Sequence, residues 1–160
     1  MKRVLTAIIA LAMISTTSIS ASAAGIDQDS GNKSSPLSLT YTVLPTYTVI
    51  IPETVTLGQA TTISAENVVI DEGKQVNVKL TGTSGASNAF TVENEKGTEL
   101  TYAITKGNAD IHLNDSVLSV NSADGTTGLA ELLFSTPADI RFPGTYTGTV
   151  TFTISVDSAN

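Results

Sequence analysis

The sequence predicts an all-β protein, an antiparallel β-sandwich of about eight to ten strands, with a jelly roll or closed barrel as the alternative. Three observations predict it. Apolar residues recur at every second position in segment after segment, the period of a strand. Turn-forming clusters of Gly, Asn, Asp and Ser interrupt these runs about every 8–12 residues. No stretch of useful length carries the 3.6-residue period of an amphipathic helix.

The alternation is strictest at the end of the chain. Tyr146, Gly148, Val150, Phe152, Ile154 and Val156 share one face of an extended chain, and Thr145, Thr147, Thr149, Thr151, Thr153 and Ser155 share the other. Thr, Val, Ile, Tyr and Phe also favour a pleated surface. This stretch is expected to be a long strand with one face on a core and one in water.

Residues 1–24 read as a cleaved secretory signal peptide. Lys2 and Arg3 form a charged start, Val4 to Ile14 is an apolar run, and Ala21-Ser22-Ala23-Ala24 is a small-residue cleavage site. The run is shorter than the roughly 20 residues a membrane-spanning helix needs. No Cys follows it, which excludes a lipobox anchor, and no membrane insertion is expected after cleavage. Losing Lys2 and Arg3 takes the formal charge from -7 to about -9. So acidic a domain is a poor nucleic-acid binder. The absence of Cys leaves stability to the core, and the remaining 135 or so residues suffice for one of ordinary size.

Residues 25–36 are small and polar, a flexible leader, and residues 37–157 read as a single β-sandwich domain. Leu37, Leu39, Tyr41 and Val43 alternate with Ser38, Thr40 and Thr42, the pattern of a first strand, which Pro45 interrupts. Tyr47, Val49 and Ile51 resume it up to Pro52, and Val55 and Leu57 read as a short strand piece. Thr61 to Ile70 reads either as a strand pair or as a turn of helix around Ala65-Glu66-Asn67. Asp71-Glu72-Gly73-Lys74 is a turn, and Val76, Val78 and Leu80 mark a strand. Thr81 to Asn88 is a loop. Phe90 and Val92 form the next strand. Leu100, Tyr102 and Ile104 follow the Asn94-Glu95-Lys96-Gly97 turn. Ile111 and Leu113 are short, Val117 to Val120 another strand, and Ala130, Leu132 and Phe134 face inward with Glu131 outward.

No constellation carries an obvious reaction, and the chain is expected not to be an enzyme and to need no cofactor. His112 is the single histidine and opposes Ile111 and Leu113 in parity, so it points to solvent and serves no catalytic triad. One His and no Cys leave nothing for a zinc site. Asp110, Asp115 and Asp124, with Asn114 and Asn121, offer weak calcium ligands, but the spacing fits no EF-hand and these residues are ordinary turn formers. Lys79 sits mid-strand as an isopeptide candidate without an evident Asn or Asp partner. Leu44-Pro45-Thr46 begins like a sortase signal but lacks the glycine, so wall attachment is not expected. Tyr41, Tyr47, Tyr102, Tyr146, Phe90, Phe134 and Phe152 share parity with aliphatic neighbours and are expected in the core. Phe142, between Arg141 and Pro143, is the exposed exception.

Two segments resemble a known family. Gly144 to Val156 looks like the closing strand of bacterial fimbrial subunits and related Ig-like surface domains, and Tyr47 to Leu57 looks like an opening strand of small secreted proteins of similar build. The resemblance implies an Ig-like sandwich, exported to the cell surface, with a structural or adhesive role and no catalytic residue. Its partners are then the protein itself or other surface subunits through strand pairing, or a host or matrix surface. Leu37, Leu39, Tyr41 and Val43 form a candidate intersubunit strand on a flexible tether, with Pro45 as hinge, suited to adding an edge to a neighbour's sheet. A small secreted carbohydrate-binding module is the alternative.

Overall fold

A computed structural model of the chain describes residues 28–29, 31, 34, 37–121 and 127–159. The expected signal peptide and most of the expected leader lie outside the described residues. Two compact units divide the chain, one up to Val43 and one from Leu44. In the first, residues 37–43 form no strand, and Leu37, Leu39, Tyr41 and Val43 are exposed. The alternation there needs a neighbouring strand to become a ladder, and the described chain supplies none.

The second unit is an all-β, antiparallel, Ig-like sandwich with ten strands among the described residues. They are β1 (Thr46–Ile50), β2 (Ala60–Val69), β3 (Lys74–Thr83), β4 (Thr91–Glu93), β5 (Glu99–Thr101), β6 (Ile104–Lys106), β7 (Ala109–Asp110), β8 (Ser116–Val120), β9 (Gly128–Phe134) and β10 (Val150–Ser158). One sheet has the order β1-β2-β9-β6-β7 and another β10-β3-β8, while β4 and β5 form a separate ladder. A 3-10 turn at Ala86–Asn88 is the one helical piece among the described residues, and no helix there is long and apolar enough to cross a membrane.

The core lies between the sheets. Ile63, Ala65 and Val68 of β2 and Ala130, Leu132 and Phe134 of β9 meet Val76, Val78 and Leu80 of β3 and Val117, Leu118 and Val120 of β8. On β9 the parity reading holds: Ala130, Leu132 and Phe134 are buried while Leu129, Glu131 and Leu133 face out. The ambiguity at Thr61–Ile70 resolves into one long strand with a bulge. Asn67 takes a φ of 53°, and the pairing to β1 slips between Thr46 and Thr48. The slip puts Val68 on the same buried face as Ile63 and Ala65, which breaks the alternation and mimics a helical spacing.

Other expectations need correction. Val55 and Leu57 form no strand; residues 51–59 are irregular, with Ile51 and Leu57 packed on the core. Leu100, Tyr102 and Ile104 do not share one strand. The chain leaves β5 at Thr101, and β6 begins at Ile104 in a different sheet. The final strand starts at Val150 rather than Thr145: just before it Thr149 still bonds to Ser84, but Thr147 bridges Glu93 instead.

Candidate functional site: an uncovered flank of the sandwich

The inward faces of the two edge strands are only half covered. On β2, β3, β8 and β9 the inward residues are buried. On β10, Val150 and Phe152 are partly buried, and Ile154 and Val156 remain 38% and 42% exposed. On β1, Val49 is partly buried and Tyr47 is 40% exposed. Both strands end their sheets: among the described residues β1 pairs only with β2 and β10 only with β3. The backbone groups along their outer edges are therefore available for another strand.

Between the run that follows β1 and the run that leads into β10 lies an open groove of about 570 Å3. One wall is the irregular run Ile51 to Leu57 that continues β1. The other is Tyr146 to Val150 with Phe152. Its floor is the core itself: Ile63, Val92, Tyr102 and Phe134. The rings of Phe90, Tyr102 and Phe134 stack in sequence, with centroids 5.9 and 6.2 Å apart. Burial raises the Tyr102 phenol above its ordinary pKa. Thr54, Thr56, Thr61, Thr147 and Thr149 give the groove a hydroxyl-bearing rim, and Glu53 is the charged residue of its lining.

Close backbone contacts shape the wall. Gly148 sits where a Cβ would come within 2.6 Å of the Thr91 carbonyl oxygen and 3.1 Å of Ser84 Oγ. The absence of that Cβ lets Thr147 exchange backbone hydrogen bonds of 2.8 and 2.9 Å with Glu93, and lets the Thr149 N–H donate to Ser84 Oγ. The Tyr146 hydroxyl donates to the Phe142 carbonyl oxygen, 3.0 Å away, and anchors the preceding loop.

On the outer face, a polar seam ties β10 to β3 and β8. Asn77 is buried; its amide nitrogen donates to Asp157 Oδ2 at 3.1 Å, and its carbonyl oxygen accepts from Ser116 and Ser119. The Asn77 amide first, then the Ser155 hydroxyl, and more weakly Lys79 and Lys74, hold the Asp157 carboxyl below the usual carboxylate range. Lys79 Nζ lies 3.8 Å from Asp157 Oδ2, so the partner missing from the sequence reading is Asp157. An amide crosslink needs a neutral amine and a protonated acid. A partly exposed pair whose carboxyl is held ionised is set up as an ion pair instead.

The other sequence candidates do not converge. Asp110 ends β7 and is exposed, while Asp115 Oδ2 accepts the His112 backbone N–H at 2.8 Å and sits 3.6 Å from the exposed His112 ring. Asp115 thus serves its own turn, and Asp124 lies outside the described residues. No group of three or more His, Cys, Asp or Glu gathers among the described residues. Of the seven aromatic residues expected in the core, Tyr102 and Phe134 are buried and Phe90, Tyr146 and Phe152 pack against it. Tyr41 and Tyr47 do not, because no strand covers them. Phe142 is exposed, as its loop position suggested. What sequence reasoning missed is the groove. Its only sequence signal is a long two-faced C-terminal strand without Pro or Lys to guard an open edge.

The fold and groove together define an Ig-like sandwich with one flank left uncovered. A solved structure of the same fold is a chain of the CsuC-CsuE chaperone-tip adhesion subunit pre-assembly complex from the archaic chaperone-usher Csu pili of Acinetobacter baumannii, with a TM-score of 0.52 and 19% sequence identity. The match covers 71% of this chain and 40% of that one, so the similarity spans less than half the length of its counterpart. No protein-family profile matches the chain. No curated protein matches it either.

Proposed function

We propose that the protein is an exported, non-enzymatic surface subunit of pilin-like type, with a structural or adhesive role, which completes its sandwich by accepting an extended segment from another subunit. The observation that carries this reading is the half-exposed inward face of β10 beside its unpaired edge, over a groove that reaches the core. An added strand would supply backbone hydrogen bonds to the edge and apolar side chains to the groove. Covering the exposed halves of Val150, Phe152, Ile154 and Val156 would contribute roughly 3–6 kcal/mol before ordering costs. The pilus-assembly complex of the same fold supports the reading, as does the signal-like start of the chain.

The test is assembly by light scattering across concentration, comparing the exported chain with Phe152→Lys, which puts a charge on the groove wall. The exported chain is expected to grow with concentration, and the variant to remain monomeric with a native circular dichroism spectrum. Concentration-independent monomers for both would defeat the proposal.

A further inference from the structure

We propose that the outer face of the β4–β5 ladder binds a calcium ion, held between the Glu93 and Glu99 carboxylates and the Thr91 and Ser84 hydroxyls. Thr147–Thr149 borders both this site and the groove, but the site stands whatever fills the groove.

The ladder places the acids. Thr91, Val92 and Glu93 pair with Thr101, Leu100 and Glu99. Val92 and Leu100 are buried in the core, so alternation turns Thr91, Glu93 and Glu99 to the opposite face. The backbone N–H and carbonyl of Glu93 are bonded to Thr147, at 2.8 and 2.9 Å. Glu93 and Glu99 are therefore a non-hydrogen-bonded pair, the kind whose Cα atoms approach to about 4.5 Å with side chains close together. Like charges directly opposite one another destabilise a ladder. Among the described residues the ion pairs are Lys79–Asp157 and His112–Asp115, so no basic side chain neutralises either glutamate.

A pocket of about 260 Å3 opens beside the two acids. Apart from Gly148, the side chains that line it all end in oxygen: the glutamates, Ser84, Thr91, Thr147 and Thr149. Thr91 is an independent sign of a ligand. It is only 8% exposed, and its hydroxyl has no hydrogen-bond partner among the described residues. No fully enclosed side-chain oxygen there lacks a partner, so the Thr91 hydroxyl is a part of that residue that reaches open space, and the space it lines is this pocket. Ser84 Oγ accepts the Thr149 N–H at 3.0 Å and keeps a second lone pair. The loop that carries Ser84 closes over Thr91 because Gly85 has no Cβ; one would lie 2.7 Å from Thr91 Oγ1.

The donor set selects the ion. Two negative charges and neutral hydroxyls, with no nitrogen or sulfur, suit a hard cation rather than zinc or copper. No aromatic ring lines the pocket, so a sugar finds no face to stack on. Calcium takes roughly six to eight oxygen ligands in flexible geometry, and water completes what these four side chains begin. Magnesium demands a near-ideal octahedron, which this uneven set does not offer. Two carboxylates give weak binding, in the ~0.1–1 mM range of extracellular modules.

The test is thermal melting of the exported chain, at dilutions where scattering reports monomers, in EDTA and in about 10 mM calcium chloride at matched ionic strength. Calcium is expected to raise the midpoint of the parent by a few degrees. Glu93→Gln and Glu99→Gln each relieve the like-charge pair, so in EDTA they should melt at or above the parent and in calcium below it. Glu131→Gln, which removes an exposed acid on β9, should keep the full response. Thr91→Val keeps the shape, loses the hydroxyl, and should weaken calcium binding several-fold by calorimetry. No calcium shift in the parent overturns the site. An equal shift in Glu99→Gln, or an equal shift with magnesium chloride, also overturns it and leaves only diffuse attraction to an acidic surface. Unchanged affinity in Thr91→Val overturns the role of that hydroxyl. Amide chemical shifts locate the ion: saturable changes are expected at Ser84, Thr91, Glu93 and Glu99, and changes gathered at Asp110–Asp115 instead overturn the placement.

Discussion

Leu80 and Phe152 are partners across β3 and β10 and share the inward face, yet they should respond very differently to truncation. Leu80 is fully buried in the middle strand of its sheet. Leu80→Ala removes transfer energy and leaves an enclosed void, a loss of about 3–4 kcal/mol. Phe152 is the larger side chain, and in a closed core its truncation would cost about as much or more. Here it is partly exposed on a groove wall, so only about half its burial is lost and no sealed cavity forms. The expected cost is about 1–1.5 kcal/mol. In urea unfolding followed by circular dichroism, with a slope of about 1.5–2 kcal/mol per molar, the midpoint falls by about 2 M for Leu80→Ala and about 0.6 M for Phe152→Ala. The measurement belongs at dilutions where scattering reports monomers. If Phe152→Ala costs 3 kcal/mol or more there with an unchanged slope, the flank is closed in the monomer and the groove reasoning fails. At concentrations that drive assembly the Phe152→Ala loss should grow, because a second chain then covers the ring.

Three other outcomes are expected. The folded carboxyl of Asp157 titrates below its unfolded value, so its stabilising contribution is full above the ordinary carboxylate pKa of about 4 and disappears as pH falls through the lower folded value. Thermal melts of the parent and Asp157→Asn should therefore differ at neutral pH and converge in strong acid; a gap that widens in acid would contradict the assignment. Gly148→Val drives a side chain into the Thr91 carbonyl and should cost about 1–3 kcal/mol, with faster amide exchange at Thr147 and Glu93 as the local sign. Gly58→Ala sets a Cβ 2.8 Å from Thr136 Oγ1 at a φ of +85°, and a melt should report a loss of about 1–2 kcal/mol, against nearly none for an alanine at the exposed position of Thr62.

The sequence by itself determined the class of the protein and most of its strands. A two-residue period is a local property: each residue of β3, β9 and β10 declares its face through its immediate neighbours, and the Gly73 and Gly97 turns declare themselves through left-handed backbone. It also marked residues 37–43 as strand-forming, since their alternation is as clean as that of β9. What it could not tell is which alternating segments find a partner within the chain. Leu37–Val43 and β9 look alike in sequence, but β9 lies between two strands and the other segment forms none. The tertiary structure alone decided that Leu100 and Ile104 belong to different sheets, that Asn67 bulges, and that Asp157 meets Lys79 across 78 positions of chain. It alone placed the groove between the run after β1 and the start of β10. A missing neighbour leaves no trace in the local pattern of either strand, because that pattern encodes which face turns inward and not whether anything lies beside it.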